Sequence, residues 1–192
     1  QTLELIMDLV VPKLRTRKYI HIWDAGCAMG PEPYSLAIIL REKMKGMCFR
    51  NVTIHASDID ISNQFKRIIE AGVYHKDRLR SVPKSILSRY FRPTENHKWY
   101  EVNEEIKKSI MFQKHDLLTL DPVRSNLSLI VCKNVLLHFS EKDRINIINM
   151  FYSCLESGGF FVTERTQKLP YEFRSLFLPL SSNAQIFQKI GG

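Results

Sequence analysis

The stretch "IWDAGCAMGPEPYSLAIIL", residues 22–40, limits what this chain can become more than any other. An apolar strand runs into Asp24, and Gly26 and Gly30 follow it. Pro31 and Pro33 come next and lead into an apolar run. Glycine opens backbone conformations closed to other residues and lets a ligand come close. Proline suits the first turn of a helix, where its missing N–H is no loss. The order is therefore strand, ligand loop, helix, with free helix N–H groups facing the ligand. In open α/β sheets ligands bind at the carboxyl ends of strands, where such a turn lies. The loop is not G-x-G-x-x-G, and it lacks the G-K-[ST] of a phosphate loop. A plain glycine turn between a strand and a helix is the competing reading of this stretch alone.

The rest of the chain repeats the alternation. Apolar strands are predicted at 20–24, 52–58, 127–133 and 159–164, with a last one at 184–190. Helices are predicted at 33–45, 61–71 and 140–155. Ser62 is a possible N-cap and Gly72 the stop of the second, while Ser140 and Asp143 form a near capping box for the third. The fold class is α/β: a Rossmann-like, mostly parallel sheet with helices on both faces. Residues 74–112 break the pattern with Pro83, a short helix "KSILSRYF" and a strand-like "KWYEV". That is too long for an ordinary connection and predicts a small excursion from the sheet. The opening residues read as a helix, with Leu3, Ile6, Met7, Val10 and Leu14 at helical spacing, broken near Pro12. Its basic residues follow the apolar ones, the wrong order for a signal peptide.

A chain of 192 residues has enough length for one domain with a sound core. No apolar run approaches the ~18 residues of a membrane span. Cys27, Cys48, Cys132 and Cys154 form no C-x-x-C pair, and three of them sit in apolar surroundings. They read as reduced thiols of a cytoplasmic protein, with no metal site. The formal charge of +8 admits an acidic macromolecular partner. The basic residues are mixed with acids and are densest in "KLRTRK", residues 13–18. Aromatics do not alternate with Arg and Gly as in single-strand binders, so nucleic acid is not the expected partner.

The second strand sharpens the reading of the loop. "HASDID" ends on Asp58 and Asp60, and an acid at that place accepts hydrogen bonds from ribose hydroxyls. A helix N-cap is the ordinary alternative, and Asp60 fits it better than Asp58. NAD wants the tighter glycine triad around its pyrophosphate. S-adenosylmethionine carries no phosphate and needs a ribose acid, an adenine slot and a place for its amino-acid end. In "HDLL", Asp116 could take the adenine amino group and Leu117 could pack on the ring. In "CKNVLLHF", Asn134 ends a strand where substrate and cofactor would meet. Turn caps are the ordinary roles for Asp116 and Asn134. His21, His55, His75, His97 and His115 show no ligand spacing and read as structural.

These residues resemble a known family. "WDAGCAMGPEPYSLAIIL" is similar to the A-G-C-S-x-G-E-E-P-Y-S-I-A segment of the CheR-type chemotaxis-receptor methyltransferases. "ASDID", "AGVYHKDRLRSVPKSILSRYF", "HDLL", "VCKNVLLHF" and "SGGFFVTE" resemble further segments of the same family, so the likeness covers residues 14–165. It implies a methyltransferase domain over 1–192, with 74–112 as an inserted β-subdomain and the family's N-terminal helical domain absent. It implies S-adenosylmethionine as cofactor, held by Gly26, Glu32, Asp58, Asp116, Leu117, Asn134 and Val135, with His138 on the substrate side. The acceptor would be glutamate side chains of methyl-accepting chemotaxis receptors. The chain departs from the pattern at Pro31, where the family has the first glutamate of G-E-E-P-Y-S, and at His138, where it has tyrosine. Two other readings stand beside this one: a methyltransferase acting on a small molecule or nucleic acid, and a non-catalytic docking module.

Overall fold

The computed structural model describes residues 2–44 and 46–191. Its strands are β1 (Ile20–Ala25), β2 (Val52–Asp58), β3 (Val73–His75), β4 (Phe91–Pro93), β5 (Trp99–Val102) and β6 (Ile110–Lys114), followed by β7 (Leu127–Cys132), β8 (Leu155–Thr163), β9 (Phe177–Pro179) and β10 (Ile186–Lys189). Seven of them form one sheet in the order β6-β2-β1-β7-β8-β10-β9. The first five pair in parallel, and β10 runs antiparallel between β8 and β9. Strand order reverses between β1 and β7, which opens a crevice at their carboxyl ends.

Each face of the sheet buries its own cluster. Ile20, Ile22, Ile54 and Val131 face the N-terminal helix and helix Pro31–Lys43. Trp23, Ile130 and Phe161 face helix Glu141–Cys154. On this second face Phe151, Phe161, Phe177 and Phe187 pack ring on ring with Trp23. Strands buried on both faces read as unbroken apolar runs, which is why β1, β2 and β7 were legible. Strands β3, β5 and β4 form a separate antiparallel sheet inside the 74–112 region. The end of that region, 110–112, belongs instead to β6 of the large sheet.

Several expectations are corrected. Helix 61–71 starts only at Phe65, because Asp60 accepts from Gln64 N and Phe65 N at 3.1 and 3.0 Å. Ser62 donates its hydroxyl to Asp60 and is not the cap. The chain does not break at Pro12. Pro12 has no N–H, and a π turn over Ile6–Val10 takes up the register change before Val11–Leu14 resumes as α-helix. Helix 33–45 is observed as Pro31–Lys43, and Lys45 lies outside the described residues. The strand predicted at 159–164 begins earlier, at Leu155, so Gly158 and Gly159 lie inside it. They bulge within β8, whose pairing jumps from Leu155 opposite Leu127 to Phe160 opposite Leu129.

Candidate functional site

The glycine loop is tied to the end of β2 by backbone. Gly26 N and Cys27 N both donate to Ser57 O, at 2.7 and 3.0 Å, and Ala28 N donates to Asp58 Oδ2 at 3.0 Å. Gly26 holds φ +92°, and a Cβ there would lie 2.1 Å from Val135 Cγ2. Glycine is therefore required twice, for the backbone angle and for the valine that fills its place. The helix that follows offers few donors. Pro31 and Pro33 carry no N–H, and Tyr34 N bonds back to Gly30 O at 3.3 Å. Glu32 alone brings an N–H to this part of the turn, so the expectation of several free N–H groups facing a ligand is corrected. The start of this helix is a poor phosphate cradle.

Carboxylates dominate the crevice. Asp24, near the end of β1, is fully buried, and neither of its oxygens has a hydrogen-bond partner. Burial first, then the charges of Glu32 and Asp58, push its carboxyl well above the usual range, while Lys133 pulls the other way. Glu32 is held by Lys133 Nζ at 2.5 Å. Asp58 accepts from Ala28 N and from Asp60 N. Glu164, just beyond β8, accepts from Asn134 N at 2.6 Å, and its other oxygen is buried without a partner. Cys27 and Cys132 lie among these acids, and burial followed by the neighbouring negative charge pushes both thiols up. They are inert at neutral pH.

The sequence-predicted residues fall into two groups. Gly26, Glu32, Asp58, Asn134 and Val135 converge where β1, β2 and β7 end. Asn134 sits exposed at φ +59°, held there by the Glu164 bond. Asp116 and Leu117 lie past β6. Asp116 accepts from Leu118 N at 2.9 Å and caps a short 3₁₀ turn, while Leu117 is buried against the second core face. His138 ends the 3₁₀ turn Leu136–His138 and is exposed. Sequence reading missed Asp24, Lys133 and Glu164. The rule that found Asp58, an acid closing an apolar strand, would also have found Asp24 and Glu164. Lys133 carries no such signal.

Two hollows lie among the described residues, and none of the four carboxylates Asp24, Glu32, Asp58 and Glu164 lines either of them. A groove of about 790 Å³ runs between the N-terminal helix, helix Pro31–Lys43 and the small sheet, lined in part by Met7, Tyr34, Tyr74 and Arg78. A cavity of about 250 Å³ adjoins the end of β8, beside Leu136, Arg144, Thr163 and Lys168. No group of three or more His, Cys, Asp or Glu side chains suited to a metal ion occurs among the described residues. No helix among them is long and apolar enough to cross a membrane.

A nucleoside ligand with a cationic end fits this chemistry, and a pyrophosphate does not. Glu32, Asp58 and Glu164 lie near a loop whose helix offers little N–H, so an anion would meet repulsion. A Rossmann-like sheet with such a crevice defines an S-adenosylmethionine-dependent methyltransferase domain. The chain belongs to the CheR methyltransferase family, matching its S-adenosylmethionine-binding domain over residues 1–186. A chemotaxis protein methyltransferase of Borreliella burgdorferi is 31% identical over 176 residues, covering 86% of this chain and 60% of that protein. A probable chemotaxis protein methyltransferase of Rhizobium etli is 26% identical over 180 residues, covering 91% and 66%. A chemotaxis protein methyltransferase 2 of Pseudomonas aeruginosa is 32% identical over 160 residues, covering 82% and 56%. The chain thus spans about 60% of the length of the first of these relatives.

Proposed function

We propose that this chain is the cofactor-binding and catalytic part of a protein-glutamate O-methyltransferase acting on chemotaxis receptors in the cytoplasm. The observation that carries this reading is the acidic crevice on a CheR-family sheet: Gly26, Glu32, Asp58, Asn134 and Val135 meet at the carboxyl ends of β1, β2 and β7. Buried reduced cysteines agree with a cytoplasmic setting. S-adenosylmethionine, when bound, supplies an activated methyl group. The work left to the protein is to orient the cofactor and keep water out. An acceptor glutamate is already ionised at neutral pH, so no general base is needed. Asp58 would bind the ribose with lone pairs not used by Ala28 N and Asp60 N. Asp116 and Leu117 would border the adenine, His138 would face the acceptor, and residues 74–112 would form an inserted subdomain.

The docking-module reading has one observation in its favour. Pro31 stands where the family pattern has a glutamate, and the remaining Glu32 is already paired with Lys133. Transfer of labelled methyl from S-adenosylmethionine to a receptor fragment decides between them. Base-labile label on the fragment, absent with its glutamates changed to alanine, is the expected result. Label on RNA or small-molecule pools alone would give the function to another acceptor. No transfer by a chain that binds S-adenosylhomocysteine would favour docking.

A further inference from the structure

The cavity at the end of β8 is walled by neighbours of the crevice residues. Leu136 stands two residues after Asn134. Thr163 donates its hydroxyl to Glu164 Oε2 at 3.2 Å, the oxygen that also accepts from Asn134 N. The lining is divided by chemistry. Leu136, Ile148, Phe161 and Leu169 make an apolar wall. Arg144 and Lys168 bring two positive charges against the one negative charge of exposed Glu141. Arg144 is half-buried and Lys168 exposed, and neither side chain has a hydrogen bond or ion pair among the described residues. Asp143, next in the chain to Arg144, is engaged by the Ser140 hydroxyl. A half-buried guanidinium without a partner loses solvation and gains nothing in return. An anion is what the cavity lacks. Its volume of about 250 Å³ is below the ~300 Å³ at which small-molecule sites begin, so it suits a side chain better than a nucleoside. A side chain with an apolar stem and an anionic head matches the lining, and glutamate is such a side chain.

We propose that this cavity takes the carboxylate of a glutamate on the acceptor protein, other than the glutamate that is methylated. This rests on the acceptor reading given under the proposed function. The two glutamates must differ, because a carboxylate clamped by Arg144 and Lys168 has its lone pairs engaged by N–H donors and is a poor nucleophile. Arg144 offers a planar fork, and Lys168 a point charge on a flexible stem. Both are positioning residues. By holding one acid they select acceptors that carry a second.

The test is fluorescence anisotropy at low salt with two labelled decapeptides, one all glutamate and one all glutamine. The chains compared are wild type, Arg144→Gln with Lys168→Gln, and Arg15→Gln with Lys18→Gln. Arg15 and Lys18 are exposed cations ahead of the amino end of β1, so both variants lose the same charge. The glutamate peptide should bind the Arg144 and Lys168 variant about fivefold or more weakly than wild type, and the Arg15 and Lys18 variant within about twofold. Equal weakening by both variants would mean that net charge alone attracts the peptide, and it overturns the proposal. So does wild-type binding of the glutamate peptide no tighter than that of the glutamine peptide. Labelled-methyl transfer to a receptor fragment separates this proposal from the reading beneath it. The Arg144 and Lys168 variant should raise KM for the fragment with kcat within about twofold, because only uniform binding is lost. Transfer with KM unchanged overturns the proposal alone. If the wild-type chain transfers no methyl to the fragment, the acceptor reading falls and takes this proposal with it.

Discussion

At the scale of single residues, the crevice trades stability for binding. Asp24 is held where its charge is unwelcome, so the folded chain prefers the protonated acid. An acid whose folded value is raised costs nothing below its ordinary value of 3.8. The cost grows as pH rises above that value, because the unfolded chain ionises and the folded chain resists. Asp24→Asn should therefore melt higher than wild type at pH 7, with the gap closing towards pH 4. Thermal melts of both chains across that range check it, and a lower melting point for the variant throughout would contradict it. Gly26 makes the opposite kind of demand. Its φ of +92° and the 2.1 Å approach to Val135 predict that Gly26→Ala is destabilising. A loss of about 2 kcal/mol or more follows from strain and overpacking together. Adding Val135→Ala should restore the steric part and leave the backbone part. A double-mutant cycle by denaturant melts separates them.

At the scale of elements, much was legible because local chemistry decides it. Apolar runs gave β1, β2 and β7. Ser140 caps helix Glu141–Cys154 by accepting from Asp143 N at 3.2 Å, as the near capping box predicts. Gly72 ends its helix at φ +62°, donating to Ile68 O. What stayed hidden depends on distant partners. Whether Asp58 or Asp60 serves the loop depends on where Ala28 lies, and the pairing of Glu164 with Asn134 spans β8 and β7. Lys133 looks like any lysine after a strand until Glu32 is folded onto it. β9 is three residues long and includes Pro179 at the sheet edge, too short for any pattern. The pairing of β1 with β2 has a titratable consequence as well. It sets His21 and His55 ring to ring at 5.7 Å, each with a buried nitrogen lacking a partner. Burial first, then His21 and Arg124, lower His55 from 6.5 to about 4. Burial first, then Arg124, also lowers His21. A depressed histidine contributes stability that is complete above its ordinary value and is lost as pH falls. Stability should drop between pH 6.5 and about 4, and His55→Gln should flatten that slope. Denaturant melts at stepped pH measure it.

At the scale of the whole molecule, charge is divided by place. The chain carries a formal +8, yet Asp24, Glu32, Asp58 and Glu164 gather where the central strands end. The excess of positive charge is therefore spread over the rest of the molecule. Part of it is structural: Lys13 and Arg17 lie over the Phe160 ring, and Arg17 also pairs with Glu156. Arg144 and Lys168, by contrast, line the cavity at the end of β8. A glutamate-rich receptor helix would meet attraction from the outer surface, while the cofactor meets an acidic pocket. Salt separates the two. Exposed charges are screened over about 10 Å at 0.1 M and about 3 Å at 1 M ionic strength, whereas buried ones are screened far less. Raising salt over that range should weaken binding to an acidic receptor fragment at least tenfold, on the scale expected when several surface ion pairs are lost together. It should change S-adenosylhomocysteine affinity far less, because the proposed cofactor acids Glu32 and Asp58 are part-buried and less screened than surface charges. Fluorescence anisotropy of the labelled fragment, beside calorimetry of the cofactor product at the same salt, reads both. Equal weakening of the two would mean that the surface charge guides no acceptor.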